Sequence, residues 1–295
     1  MRFLSFLIFL FLFSFSCAVD AHQPPEEKNS TNVLPKTGNF GLPVSQQPGP
    51  LIGFGQNILG KNETQIFLFA DDFAGVRKHF IDLIPGLLYG ISDTFSIFVN
   101  VPIAVSYQQN GNRSAGFEDA FVQLEDAFYT QNTTTYQEQA TIVGNITFPT
   151  GSTQKQPPTG SGSPTFFLGA TFIRTYVDWF VFASPGAMLT TTHGNTKFGN
   201  DYLYQGGFGR NIANINQWMF AWMVEVDGTY TQQNRISGMT APNSGGNLVY
   251  VTPSLWVSTP RLIFQLGAGW AVSQHLYGNQ TRSTYLLAAN LGWTQ

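Results

Sequence analysis

The chain has 295 residues, of which 11% are charged and 15% aromatic, and a net charge of −3. A charged fraction less than half of the roughly 25% usual in soluble domains excludes an ordinary water-solvated surface, and the acidic balance, with a pI near 5.7, argues against a nucleic-acid partner. The single cysteine, Cys17, lies in the leader, so a chain cut after Ala21 has no disulfide, thiol nucleophile or cysteine metal site.

Residues 1–21 carry a positive charge at Arg2, an apolar run from Phe3 to Phe15, and small residues at Val19 and Ala21. This is the layout of a cleaved secretory signal peptide. The run is short for an uncleaved anchor across about 30 Å of hydrocarbon. A lipoprotein signal acylated at Cys17 is a rival reading, against which stands Ser14 where such signals usually have a Leu-like residue. Residues 22–62 are rich in Pro, Gln and Asn without periodicity, and read as a linker or a short N-terminal plug. The stretch "PLIGFGQNIL" near its end either adds a strand or packs inside.

From 63 to 295 the texture changes to strand-length runs of period two, the pattern of a barrel wall. Tyr136, Ala140, Ile142 and Ile146 alternate with Gln137, Gln139, Thr141 and Asn145. Trp218, Phe220, Trp222, Val224 and Val226 alternate with Met219, Met223, Glu225 and Asp227. A soluble sandwich also alternates, but its outer face would carry many Lys, Glu and Arg. Here the face without charges bears the large aromatics, so the pattern is inverted and suits lipid.

The strands fall near 63–72, 79–90, 94–107, 116–130, 135–148, 163–174, 178–190, 201–211, 217–232, 247–258, 261–273 and 284–294. The fold class is therefore all-β, an antiparallel transmembrane β-barrel of about twelve strands. Short connections such as "ISDT" and "STPR" alternate with long polar ones such as "YQQNGNRSAG" and "QQNRISGMTAPNSGG". That alternation places the short turns and both termini in the periplasm of a Gram-negative bacterium and the long loops outside. Pro85, Pro102, Pro164, Pro185 and Pro253 fall inside these runs, where proline is normally avoided; bulges or kinks are expected there.

Several stretches carry a resemblance: "GLLYGISDTFSIFVNVPI", then "AGFEDAFVQLE", "NITFPTG" and "GSGSPTFFLGATF". This order resembles the outer-membrane transporters grouped as the meta-pathway phenol-degradation family, over roughly residues 63–295. The chain departs from the family's usual Gly-x-Gly-Asp at "GFED", where Asp119 matches and Glu118 replaces glycine. The resemblance implies a barrel that passes hydrophobic or aromatic compounds, and it implies no catalytic residues.

If the polar face lines the lumen, the residues on the solute path are Asp82, Asn100, Asp119, Glu125, Glu225, Asp227 and Arg261. An acidic lining lowers the cost of a cation in a narrow pore. Equally, these groups can bond one another and Arg261 to fill a small barrel with a polar core. His79, His193 and His275 map to the external loops or strand tops near Asp71 and Asp72, so a rim Asp/His pair activating water is conceivable. No Gly-x-Ser-x-Gly elbow, His-Glu-x-x-His or P-loop accompanies them.

The expectation is thus a non-enzymatic, cofactor-free outer-membrane channel for passive uptake of small solutes, hydrophobic or aromatic ones among them. Its partners would be outer-membrane lipid, the solute and the barrel assembly machinery. Adhesion through the external loops is the alternative, with a rim hydrolase behind it. The last strand, "STYLLAANLGWTQ", puts Tyr285, Leu287, Ala289, Leu291 and Trp293 on one face, the aromatic-ended form that assembly of such barrels uses.

Overall fold

The computed structural model describes residues 37–55 and 58–295. The signal-peptide expectation for 1–21, with Cys17, lies outside the described residues.

The strands are β1 (Thr64–Gly75), β2 (Lys78–Gly90), β3 (Phe95–Asn100), β4 (Ile103–Gln109), β5 (Asn112–Phe117), β6 (Phe121–Asn132), β7 (Tyr136–Thr147), β8 (Thr165–Tyr176) and β9 (Trp179–Thr190). They continue with β10 (Thr192–His193), β11 (Thr196–Lys197), β12 (Asp201–Ile215), β13 (Trp218–Thr231), β14 (Arg235–Ile236), β15 (Met239–Thr240), β16 (Gly246–Ser258), β17 (Leu262–Leu276) and β18 (Ser283–Thr294). β2 pairs with β3 along one half and β4 along the other, so β3 and β4 form one stave; β5 and β6 form the next. β1 pairs with both β2 and β18, which closes an antiparallel barrel of 12 staves. The short strands β10, β11, β14 and β15 form a separate four-stranded sheet within two of the long loops.

Closure reaches the last residue. Thr294 pairs with Gln65 and Trp293 with Ile66, and Gln295 N donates to Thr64 O at 2.8 Å. A closed sheet leaves no edge, which is what a wall in hydrocarbon requires.

The two faces of the wall are chemically opposite. Leu266 is 48% exposed and Leu291 44% on the outside, whereas inward Gln265, Glu225, Thr252 and Ser258 are all at 0%. At the short-turn end the outside carries a run of rings, Tyr136, Tyr176, Trp179, Phe208 and Trp222, whose neighbouring centroids lie 4.0 to 6.1 Å apart. Aromatic belts of this kind belong at the membrane interface.

The wall prolines are accommodated without the expected bulges. Pro85, Pro185 and Pro253 face outward inside β2, β9 and β16. Each keeps its pairing on one side, with Leu68, Tyr204 and Val224. On the other side pairing lapses and resumes in unchanged register, as from Gly169↔Gly186 to Phe172↔Ala183 around Pro185. A strand residue directs its N–H toward one neighbour only, so the missing donor costs one seam and leaves the other intact. The register shifts lie elsewhere, for example at Val249/Tyr250 and Asn211/Ala213. Pro102 and Pro164 lie just outside strands, between β3 and β4 and before β8.

The expected long loop "YQQNGNRSAG" is largely strand. β4 and β5 extend through it to a tight turn at Asn110 (φ 51°) and Gly111 (φ 89°), since Asn-Gly takes two successive positive φ values at little cost.

Inside, small residues face large rings. A Cβ on Gly86 would lie 2.6 Å from the Phe98 ring, and one on Gly186 equally close to Phe167. Each ring thus takes the space that a side chain on the glycine across the seam would need.

Candidate functional site

Of the chain before β1, the described residues 38–55 and 58–60 run inside the barrel. Asn39 N donates to Val177 O at 2.7 Å in a short turn, so the segment starts at the short-turn end. Gly38 must be glycine there, because its φ is +48° and a Cβ would meet Val177 O at 1.9 Å. Gln46 Nε2 then reaches Thr294 Oγ1 at 2.6 Å, and Ser258 Oγ donates to Gln46 O at 2.8 Å. Gln265 Nε2 donates to Gly49 O at 3.2 Å, and Thr171 Oγ1 to Phe54 O at 2.7 Å. Gly60 then lies back against Gly90 at the short-turn end, with Leu59 packed among Phe67, Leu88 and Phe98. The segment therefore rises into the lumen and returns.

Its summit is held by Glu225. Leu51 N donates to Oε1 at 2.6 Å and Ile52 N to Oε2 at 2.9 Å. Glu225 is the eighth of the 14 residues of β13, so the anchor sits halfway up the wall. Leu51 belongs to a buried apolar cluster with Phe180, Phe182, Met223, Tyr250 and Leu286. Hydrogen bonds to a charged group are worth about 1.5–3 kcal/mol each, and burying one leucine adds about 1.5–3 kcal/mol. A seat of that size holds firmly and still permits release.

Above this summit lies a cavity of about 820 Å³ with Ile52 in its floor and Pro157, Pro158, Gly245 and Gln280 from the long loops around its mouth. Its wall is largely apolar, with Phe73, Phe80, Leu203, Leu248, Tyr250 and Leu286, and its charged residues are Asp82, Asp227 and Lys78. A second cavity, of about 280 Å³, lies beside the same segment against Phe69, Asp71, Asn100, Phe121 and Gln123.

The sequence-predicted path residues divide accordingly. Asp82 and Asp227 line the larger cavity and Asn100 the smaller. Asp227 Oδ2 accepts from Thr252 at 3.0 Å. Glu125 is buried and accepts from Gln123 Nε2 at 2.6 Å, and Asn145 donates on to Gln123 at 3.4 Å. Glu225 is occupied by the lumen segment. Asp119 instead ties an outer loop: it accepts from Gly151 N at 2.8 Å and from Ser161 N and Oγ at 2.7 Å. Arg261, expected inward, is exposed in the turn before β17, where strand alternation no longer sets its direction.

Sequence reasoning missed the apolar half of this site. Phe73 and Phe80 share the parity of Asp71 and Asp82, with which they alternate along β1 and β2, and that was the available signal. Leu51, Ile52 and Phe54 belong to the stretch read as either a further strand or an inward-packed segment, and the second holds; their partners, distant in the chain, were not legible.

The rim Asp/His pairing exists: His79 Nε2 lies 2.7 Å from Asp72 Oδ1. The pair belongs to the outer wall face, while Asp71 points inward opposite Asp82. Among the described residues no serine, threonine or tyrosine hydroxyl joins it, and no group of His, Cys, Asp and Glu is placed to hold a metal ion.

No protein-family model matches the chain, and no curated protein matches it. Solved structures do. The COG4313 outer membrane channel from Pseudomonas putida F1 superposes with a TM-score of 0.68 at 14% identity, covering 84% of this chain and 100% of that one. The likeness is one of fold. The NanC porin (TM-score 0.48, 9% identity, 78% of this chain and 98% of that one) and the CymD monoaromatic hydrocarbon channel (0.33, 10%, 80% and 88%) are also matched.

Proposed function

We infer that this chain is an outer-membrane channel for passive uptake of small solutes, hydrophobic and aromatic ones among them, whose lumen is closed at rest by the segment around Leu51 and Ile52. The observation that carries this reading is the pair of bonds from Leu51 and Ile52 to Glu225. They fix main chain across a lumen that otherwise opens into a wide, mostly apolar vestibule. A solute entering from the loop end meets Ile52 and passes once the segment shifts toward the short-turn end.

The test is solute flux into liposomes containing the full chain or a chain lacking 37–60. Faster swelling in small neutral solutes with the deletion, both proteins being folded, supports the reading. Equal, background-level flux from both sinks it.

Recognition through the outer loops is a second reading. It is favoured by the small sheet that ties two long loops together and by Met239 and Ile236, which stand 73% and 52% exposed at its tip. Deleting 234–241 would then abolish adhesion while leaving conductance intact.

A further inference from the structure

Three neighbouring connections at the loop end are joined through their main chains. Val76 N donates to Arg282 O at 2.8 Å and Asn110 N to Arg77 O at 2.9 Å, so residues 277–282, 75–78 and 109–113 form one continuous stretch of rim. These connections carry Arg282, Arg77, Lys78 and Arg113 and no Asp or Glu, in a chain whose net charge is −3. Arg77, Arg113 and Arg282 are exposed. Among the described residues their side chains have no hydrogen-bond or ion-pair partner.

Part of this rim faces the membrane. His79 and Gln108 are cross-strand partners, as are Gln108 and Arg113, so the three stand in one row on the outer wall face, where His79 meets Asp72 at 2.7 Å. Arg77 and Lys78 border the same concavity as this row, about 510 Å³ in volume. The Asp72 carboxylate is engaged by His79, and Asp71 and Asp82 face the lumen. Beneath the row the same face turns apolar: Val105 on β4 and Phe117 on β5 are 49% and 64% exposed. Phe117 lies four residues below Arg113, about 13 Å at strand rise.

The loop ends of β12 and β13 are built differently. Their outward residues are the exposed Tyr202, Tyr204 and Tyr230, the ordinary interfacial choice, so the cationic row is local and not a girdle. Cations gathered without partners repel one another, and a phosphate relieves that repulsion through charge-assisted hydrogen bonds to the guanidinium forks. A soluble anion gains nothing from Val105 and Phe117 beneath. A lipid engages both parts.

We propose that this sector of the outer wall seats a phosphorylated lipid of the surrounding leaflet, its phosphate on Arg77 and Arg113 and its chains along Val105 and Phe117. In an outer membrane with the long loops outside, that lipid is the phosphorylated glycolipid of the outer leaflet. The site lies outside the lumen, so the inference goes beyond the channel reading and does not depend on conduction.

The test is the lipid retained by the refolded full chain when it is recovered from mixed micelles holding equal amounts of diphosphoryl lipid A and its dephosphorylated counterpart. The phosphorylated form should be retained at least about tenfold more. Arg77→Asn combined with Arg113→Gln should bring the ratio close to one; asparagine suits the φ of 59° at position 77, and the heat-modifiable shift on gels confirms the fold. Lys197→Gln with Arg235→Gln, in the separate loop sheet, should leave the ratio unchanged. Salt offers a check that needs no variant: raising it from about 0.1 to 1 M shortens the screening length from about 10 to 3 Å and should shrink the preference. Equal retention of the two lipids, a preference that survives the paired arginine substitutions, or one indifferent to salt overturns the proposal. Displacement of the lipid by excess inorganic phosphate also overturns it, since the site would then belong to a soluble anion.

Discussion

The Glu225 carboxylate holds the main chain of Leu51 across 174 residues of sequence, accepting its N–H at 2.6 Å while its second oxygen accepts from Ile52. One side chain in the middle of the wall thus sets the height at which the lumen is closed. Glu225→Ala removes both acceptors, and about 3 kcal/mol of lost bonding corresponds to a rise of roughly a hundredfold in the released fraction. Glu225→Gln keeps one acceptor and should release about tenfold. Open probability in planar bilayers checks both, and an unchanged record from the alanine variant would show that Glu225 does not hold the closed state.

The wall's orientation predicts a steep cost for charge on one face only. Leu266 faces outward, opposite Ala289 near the middle of β18, so Leu266→Lys should destabilise the barrel by about 2–4 kcal/mol. Urea unfolding from lipid vesicles measures this. Lysine in place of exposed Arg261 should change little, because that position lies in a turn.

Gly86 should not accept a larger side chain. Its Cβ would stand 2.6 Å from the Phe98 ring, and Gly86→Val should cost about 1–3 kcal/mol by overpacking. Combining it with Phe98→Leu should return part of that loss. Additive losses in the double variant would mean that the two positions do not share space.

Asp119 ties an outer loop. Asp119→Ala frees Gly151 and Ser161, so trypsin should cut after Lys155 several times faster while the heat-modifiable shift of the barrel on gels is retained. Protection unchanged by the substitution would remove Asp119 from this role.

The wall was legible because a strand in lipid writes its own face: residues such as Leu262, Phe264 and Leu266 can only point out if Gln265 and Gly267 point in. That logic stops where the strand stops. Arg261 shares the parity of Gln265, yet the chain is already turning there, and Asp119 shares the parity of Gln123 across a break between β5 and β6. The prolines misled because sequence shows a missing donor without showing that only one seam feels it. The lumen segment was the least legible part. Pro, Gln and Gly compose a solvated linker and a buried one alike, and what distinguishes them here is a set of wall side chains, Gln265, Ser258 and Glu225, reaching main-chain groups 174 to 216 residues away.

Those separations bear on the order of construction. Gln46 rests on Thr294 and Ser258, and Gly49 on Gln265, positions on β16, β17 and β18. None of these supports is in place until the final staves have joined the rest and β18 has met β1. The contacts at Phe54, Leu51 and Ile52 need only β8 and β13, so the segment gains its last supports, at Gln46 and Gly49, when the final staves close the wall.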